Sequence, residues 1–576
     1  TANAYVNYTK TFAKKHNLNV MAGVNAEEEE YKYLYGTRNV MYDQEGYPEL
    51  NMAGKDGQDL SWNHTSRASA GYFGRINYDY KGIYLLELNG RYDGSSRFPH
   101  TDQWAFFPSA SIGYRFSEEA YFAPLKHIVS NGKLRASFGE IGNEAVGDYM
   151  FEQLISQRLN NKSTGYIYWI ENNNANANLL TMYNMPDLVS STLTWERIRT
   201  LNIGLDLGLL NDELTIGFDW FQRENRDMLA PAQVLPNTLG ASAPYENAGT
   251  LRTRGWELNL NWRHTFGDFD VYANFNIGDS KTKVTKWDND SKLLSTYYTG
   301  KTYGDIFGFE TDRYFEEKDF TSQNADGSWN YANGIASQAG LESGNFHYGP
   351  GDVKFKDLDG NGKIDGGKGT ADDHGDLKVI GNSMPRYEYS FHLGGAWKGI
   401  DLDLYFQGVG KREDWTTSSL NLPAMVHADV AIYSHQTSYN KVLWNSDYTA
   451  ITGYEVNQGN RYPRLYRGTN NSGGTVSGIA NGCNNYYPQS RYLTDMSYLR
   501  LKNVTVGYTL PKEWTRKAYI EKARIYFSGS NLFLLHKGND LPVDPEISTG
   551  NGLTAGGWGR IAPITRTFSF GVQVTL

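Results

Sequence analysis

One cysteine, Cys483, stands among 576 residues. No disulfide can therefore close within the chain, and every tie in the fold has to be non-covalent. Cys483 lies in a polar Asn/Gly stretch and reads as incidental rather than catalytic. Long apolar runs are missing too. None reaches the roughly 20 residues that a membrane-spanning helix needs, and mean hydropathy is -0.58. That excludes a helical membrane protein but not a barrel, whose lumen-facing residues dilute the average. Positive charge is in the minority, with 55 Lys and Arg against 64 Asp and Glu for a net charge of -9, so nothing points to nucleic acid as a partner. Catalytic signatures are equally scarce. The 11 histidines are scattered without an H-E-x-x-H pair, and neither a G-x-S-x-G elbow nor a G-x-x-x-x-G-K-[ST] phosphate loop occurs. Gly408-Val409-Gly410 reads as a turn at a strand end rather than a nucleotide site.

What the chain has is aromatic residues, 14% of the total with 42 Tyr, and 61 Gly. This mix suits strands and turns and the aromatic girdles of a membrane barrel. The pattern along the chain agrees. Leu201, Ile203, Leu205 and Leu207 interleave with Asn202, Gly204, Asp206 and Gly208. Trp256, Leu258, Leu260 and Trp262 interleave with Glu257, Asn259, Asn261 and Arg263, and Phe269 to Ile277 alternates in the same way. Alternation sends successive side chains to opposite faces of a strand. Runs of about ten residues match a tilted strand crossing a bilayer. Strands are expected near 3–12, 18–30, 67–79, 83–93, 105–116, 133–140, 196–209, 213–227, 254–264, 269–282, 385–397, 401–413, 495–509, 523–534 and 564–576. The last, ending Thr567-Phe568-Ser569-Phe570-Gly571-Val572-Gln573-Val574-Thr575-Leu576, suits a closing barrel strand.

Link lengths alternate as well. Short links at 80–82, 210–212, 265–268 and 398–400 carry Lys81-Gly82, Asn211-Asp212, Gly267-Asp268 and Lys398-Gly399, which is turn chemistry. Long links fall at 31–66, 141–195, 228–253, 283–384, 414–494 and 535–563. A membrane barrel has short periplasmic turns and long external loops, and this alternation is the strongest organisational signal in the sequence. It sends the last strand inward to the periplasm. Bacterial barrels have even strand numbers, so about fifteen strands imply further strands upstream. The opening Thr1-Ala2-Asn3, without Met or signal peptide, reads as a processed or partial chain. In this chain alone, the outer edge of the last strand should be unpaired.

Five segments carry a family resemblance. Leu193-Thr194-Trp195-Glu196 leads into Leu201-Asn202-Ile203-Gly204-Leu205-Asp206. Then come Asn247-Ala248-Gly249-Thr250-Leu251-Arg252-Thr253-Arg254-Gly255-Trp256-Glu257 and Asp495-Met496-Ser497-Tyr498-Leu499-Arg500-Leu501-Lys502-Asn503-Val504-Thr505-Val506-Gly507-Tyr508. Ser530-Asn531-Leu532-Phe533 with Asp544-Pro545-Glu546, and the terminal strand, complete the set. Together these resemble the SusC-like (RagA-like) TonB-dependent outer-membrane transporters. The resemblance implies an all-β fold, a transmembrane antiparallel β-barrel of 22 strands when complete with about 15 here, in the Gram-negative outer membrane. It also implies an N-terminal plug with a TonB box, neither of which this sequence contains. Residues 1–576 would then be the C-terminal part of the barrel, with external loops notably at 141–195, 283–384 and 414–494. The implied partners are the TonB complex, a SusD-like surface lipoprotein acting as a lid, outer-membrane lipids and an oligosaccharide or peptide cargo. A dimer of transporter–lipoprotein pairs is implied too. The chain thus reads as an active importer and not an enzyme. A passive porin or surface adhesin barrel is the alternative, and a soluble β-rich glycan-binding or glycan-cleaving protein is a third reading.

One local motif suggests chemistry. Asp357-Leu358-Asp359-Gly360-Asn361-Gly362-Lys363-Ile364-Asp365 follows the start of a calcium loop. Asp357, Asp359, Asn361 and Asp365 supply oxygens at positions 1, 3, 5 and 9, Gly362 the sharp turn, and Lys363 a backbone carbonyl at position 7. Position 12 is Lys368 instead of a bidentate acid, and Asp372, Asp373 or Asp376 could replace it after a short insertion. Calcium is expected ahead of magnesium, rigidifying the loop at 283–384; an Asx-turn surface loop without metal is the alternative. Glu27-Glu28-Glu29-Glu30 reads as a solvated rim at a strand end. Tyr297, Tyr298, Trp415, Tyr486 and Tyr487 have the chemistry to stack on sugars, but loop packing or lid contact is expected of each.

Overall fold

A computed structural model describes residues 1–38, 53, 58–153, 155, 157–159, 181–183, 186, 188–190, 193–231, 243–416, 418, 420–423, 432–465, 484–546 and 564–576. Cys483 lies outside the described residues. Fifteen strands hydrogen-bond in chain order into one sheet, in the number and sequence that the alternation predicts. Their neighbours pair antiparallel wherever the register is described. Ala2–Phe12 and Thr567–Thr575 stand at the two ends of the order. Among the described residues the last strand pairs only with Lys522–Lys537, so its outer edge is unpaired as expected. Among the described residues no helix is long and apolar enough to cross a membrane.

The largest departure from the sequence reading is at His16–Thr37 and Asp59–Tyr80, each of 22 residues and well beyond the expected 18–30 and 67–79. Their register runs unbroken from His16↔Tyr80 to Thr37↔Asp59. The four glutamates therefore lie inside a strand, not at its end. Charge looked like a rim, but the ladder supplies partners. Glu29 pairs with Arg67, and Glu30 meets Lys32 at 2.6 Å and His64 at 2.8 Å. A second correction concerns Gly408-Val409-Gly410, which lies within strand Ile400–Lys411 rather than at a turn. A side chain at Gly408 would strike the Tyr389 ring and the Tyr498 carbonyl. The glycine thus answers a packing need and not a chain reversal. The predicted turn at Lys398-Gly399 does form, joining Trp397 to Ile400 with φ of 45° and 90°. Two positive φ values give the tight hairpin that matches strand twist.

The chain divides into two compact units, Thr1–Glu119, Lys133–Ile203 and Gln222–Arg252 forming the first. Its strands sort cleanly into two faces. One bears Leu18, Val20, Ala22 and Val24, facing across the ladders Tyr78, Ile76 and Tyr72, then Leu86, Leu88 and Tyr92, then Ile112 and Phe106. Many of these apolar groups are exposed, Ile112 at 60% and Phe106 at 54%, which water does not favour but lipid does. Aromatic clusters bound this apolar face. Tyr80, Tyr84 and Tyr114 stack with centroids 6.4 and 5.2 Å apart at one end. Tyr72, Tyr92 and Trp104 gather at the other, with centroids 6.1 and 5.1 Å apart. Tyr84 and Tyr92 are eight residues apart on one strand, about 27 Å along it and roughly 20 Å once tilted, close to the apolar band of a membrane barrel. The opposite face bears Asn17, Asn19, Asn25, Asn77, Asn89 and Ser111. Arg75 bonds Asn89 at 2.7 Å and Arg91 bonds Asn25 at 3.1 Å there.

The second unit comprises Ala120–Gly132, Gly204–Phe221 and Thr253–Leu576. Its ladders repeat the division. One row across the strands reads Val271, Gly395, Leu402, Val506, Phe527, Phe570. A row on the other face reads Asn274, His392, Tyr405, Asn503, Ser530, Thr567. The largest buried side chains of this unit are not in the sheet. Phe309, Tyr314, Phe315, Phe346, Tyr348, Phe355, Tyr462 and Tyr486 form an apolar core built from the links at 283–384 and 414–494.

Candidate functional site

The candidate metal loop rests on this off-sheet core. Two polar ties hold the core together. Asp352 is fully buried and accepts from Arg464 at 2.9 and 2.7 Å, from the Gly349 N–H at 2.8 Å and from Asn485 at 2.8 Å. Buried charge is tolerable only when paired and hydrogen-bonded in this way. Tyr314 donates its hydroxyl to the carbonyl of Arg461 at 2.8 Å, binding one long link to the other. The metal loop is fastened beside them by Ile364, which is buried, and by backbone bonds Ile364–Ser337 at 2.9 Å and Ser337–Gly362 at 3.0 Å.

Gly360 and Gly362 have φ of 75° and 80°, the left-handed conformation that glycine adopts at little steric cost. This turns the chain so that Asp357 accepts from the Gly360 and Gly362 N–H groups at 2.7 and 2.9 Å. Asp359 accepts from the Asn361 N–H at 3.0 Å and from its amide at 2.9 Å. Carboxylate oxygens of Asp357, Asp359 and Asp376 all lie within 4.8 Å of one another. Of the predicted set the structure thus brings Asp357 and Asp359 together and adds Asp376. Asp376 was one of three proposed stand-ins for position 12. The other two are engaged elsewhere, Asp372 with Lys292 at 2.9 Å and Asp373 with Lys368 at 3.5 Å. Asn361 spends its side-chain oxygen on the Lys363 N–H at 2.8 Å, and Asp365 turns one oxygen to the Gly367 N–H at 2.7 Å.

Asp376 is buried and accepts from the Leu358 and Asp365 N–H groups at 2.6 and 2.9 Å. Burial pushes its carboxyl above the ordinary range, against the pull of these donors. Three carboxylates on a tightly turned backbone, with the Lys363 carbonyl at the seventh position, match the hard-oxygen preference of calcium. The loop aromatics do what packing predicts. Tyr486 and Tyr487 are buried in the off-sheet core, and Tyr298 and Trp415 pack against it. Tyr297 packs on Trp287 and Tyr303, centroids 5.0 and 5.8 Å away.

The family model for the TonB dependent receptor-like β-barrel matches residues 1–372. The chain belongs to the TonB-dependent receptor β-barrel family. Members of this family are outer-membrane barrels, and the exposed apolar face is accordingly the lipid-facing one. Among curated relatives, TonB-dependent receptor P3 of Formosa agariphila is 27% identical over 99% of this chain and 51% of its own length. The TonB-dependent receptor SusC of Bacteroides thetaiotaomicron is 25% identical over 95% of this chain and 48% of its own. The chain spans about half the length of the curated relatives it matches. A solved structure of the RagAB peptide transporter shares the fold, with a TM-score of 0.68 at 18% identity, over 99% of this chain and 55% of that one.

Proposed function

We propose that this chain forms part of an active importer of oligosaccharides in the outer membrane. Import is energised through TonB and works with a SusD-like surface lipoprotein that closes over the barrel, the pairs assembling as dimers. The observation that carries this reading is the face opposite the lipid. It carries amides and hydroxyls such as Asn274, Asn503, Ser530 and Thr567, which exchange hydrogen bonds with a sugar, beside polar groups already engaged with their neighbours, as His392 is with Asp403 at 2.6 Å and Arg91 with Asp93 at 2.9 Å. The likeness to SusC supports the same reading, and the RagAB likeness keeps peptide as the competing cargo. Cells carrying the full-length protein should accumulate a fluorescent neutral oligosaccharide only when TonB is intact. Equal accumulation without TonB points to a passive porin and overturns the reading.

We also propose that Asp357, Asp359 and Asp376 hold a calcium ion that stiffens the 283–384 link. Calorimetry of the full-length protein in detergent should show calcium binding that D357N/D359N abolishes. Unchanged heats in that variant, or none in the wild type, remove the proposal.

A further inference from the structure

The hairpin of His16–Thr37 and Asp59–Tyr80 extends well past the apolar belt, and its far end carries an unassigned surface. Tyr31, Tyr33 and Tyr35 lie two residues apart on one strand. Their rings are near-parallel, with interplanar angles of 6° and 12° and centroids 6.5 and 6.3 Å apart. Each is exposed, at 53%, 44% and 48%. Because the register has no bulge between His16 and Thr37, their face is fixed by parity. It is the face of Asn17, Asn19 and Asn25, opposite Leu18, Val20, Ala22 and Val24. The tyrosines therefore look away from the lipid side. Directly across the ladder stand Thr65, Asn63 and Ser61.

No residue in this patch of six is charged. The charges at the same height, Glu30, Lys32 and His64, are on the opposite face and paired with one another. The Glu29–Arg67 ion pair closes the patch at its lower end. Exposed phenol rings in a row, flanked by two hydroxyls and an amide, combine the apolar faces that pack on sugar C–H groups with donors and acceptors for sugar hydroxyls. The rings recur every 6.3–6.5 Å along the strand, so a chain of sugars laid along it can meet more than one ring.

We infer that Tyr31, Tyr33 and Tyr35, with Asn63 and Thr65, form a binding track for an uncharged oligosaccharide above the membrane. This rests on the importer reading and names where its cargo first lies along the wall. The track takes extended chains and not single sugars, since one sugar covers one ring.

The test is binding to the full-length protein in detergent, independent of uptake. The probes are maltohexaose, cellohexaose and laminarihexaose, with glucose and pentaglycine for comparison. At least one hexasaccharide should bind, glucose should not, and Y31A/Y33A/Y35A should weaken the binding about ten-fold or more. Y31F/Y33F/Y35F, which keeps the rings, should stay within about three-fold. Heat-modifiable migration on a gel shows that both variants fold. Binding untouched by the alanine variant, no hexasaccharide binding to the wild type, or an equal loss of pentaglycine binding each overturns the track. TonB-dependent uptake that persists beside such a failure leaves the importer reading standing, whereas loss of TonB dependence removes that reading by itself.

Discussion

Asp414 gives the sharpest handle on the off-sheet core. It pairs in a two-residue strand with Thr494, where the 414–494 link leaves the end of Ile400–Lys411 and later returns. The residue is 4% exposed and its Oδ2 has no hydrogen-bond partner. Burial pushes its carboxyl up to about 7, against the attraction of Arg412 and a bond from the Trp415 N–H. A carboxyl raised above its unfolded value of 3.8 keeps its proton longer in the fold. Its contribution to stability is therefore greatest at low pH, falls as pH rises from about 4 to about 7, and stays at its lower level above that. At ~1.36 kcal/mol per pH unit, the ceiling on the loss is about 4 kcal/mol. Asp414→Asn removes the titration. Linkage between 3.8 and about 7 makes its advantage over wild type larger at pH 8 than at pH 5 by up to about 2.6 kcal/mol, and we expect about 1–2.5 after local relaxation. Hydrogen exchange of peptides spanning 412–416 and 492–496, compared between variant and wild type within each buffer, measures it. An equal difference at pH 5 and pH 8 would refute the reasoning, because any purely steric effect of the amide is independent of pH.

Three other substitutions probe separate parts of the fold. Asp352→Ala takes the carboxylate from the half-buried Arg464, which keeps its bond to the His347 carbonyl, and from the buried Asn485, and should cost about 3 kcal/mol of off-sheet core stability, seen as exchange in 346–355 and 484–489 with the barrel itself intact. Tyr314→Phe removes only the hydroxyl that bonds the Arg461 carbonyl, so a loss of about 1 kcal/mol is expected, confined to the contact between the two links. Gly408→Ala places a methyl against Tyr389 and the Tyr498 backbone. The carbonyl cannot yield as a side-chain tip can, so the temperature at which the folded gel band disappears should drop, and an unchanged temperature contradicts the packing role given to this glycine.

Period-two patterning made the sheet legible. Glu196–Leu209 coincides with its expected strand because Leu201, Ile203, Leu205, Leu207 and Leu209 each alternate with a small or polar residue. The strands of 22 residues were cut short because alternation of apolar and polar residues stops where the strand leaves lipid. Beyond Ala26 the face of Leu18 and Val20 is interrupted by Glu28, Glu30 and Lys32 before exposed Leu34, Trp62 and Leu60 resume it, so the hydrophobic period is broken there. What persists there is the Tyr31-x-Tyr33-x-Tyr35 spacing, a period-two signal written in aromatic residues rather than in burial. The candidate metal loop was legible in its first half, where the acids follow one another in sequence. Asp376 was only one of three acids within reach, and what sets it beside Asp357 and Asp359 is its burial with bonds from the Leu358 and Asp365 N–H groups. Those contacts reach back 18 and 11 residues and leave no mark in the spacing.

The same distinction explains why the external links hold a core of their own. A barrel wall with lipid on one side and a polar lumen on the other has no apolar interior of its own in which to bury Phe309, Phe346 or Tyr486. Links long enough to reach the sheet's rim can bury such residues only against one another. Their core then has to be fastened by polar ties, because apolar packing is non-directional and does not by itself set how one link lies on another. Asp352 with Arg464 and Tyr314 with Arg461 do this between segments more than 100 residues apart. The way the two links lie on each other thus depends on a handful of directional bonds. Loosening them should raise exchange throughout the links while leaving the sheet strands paired.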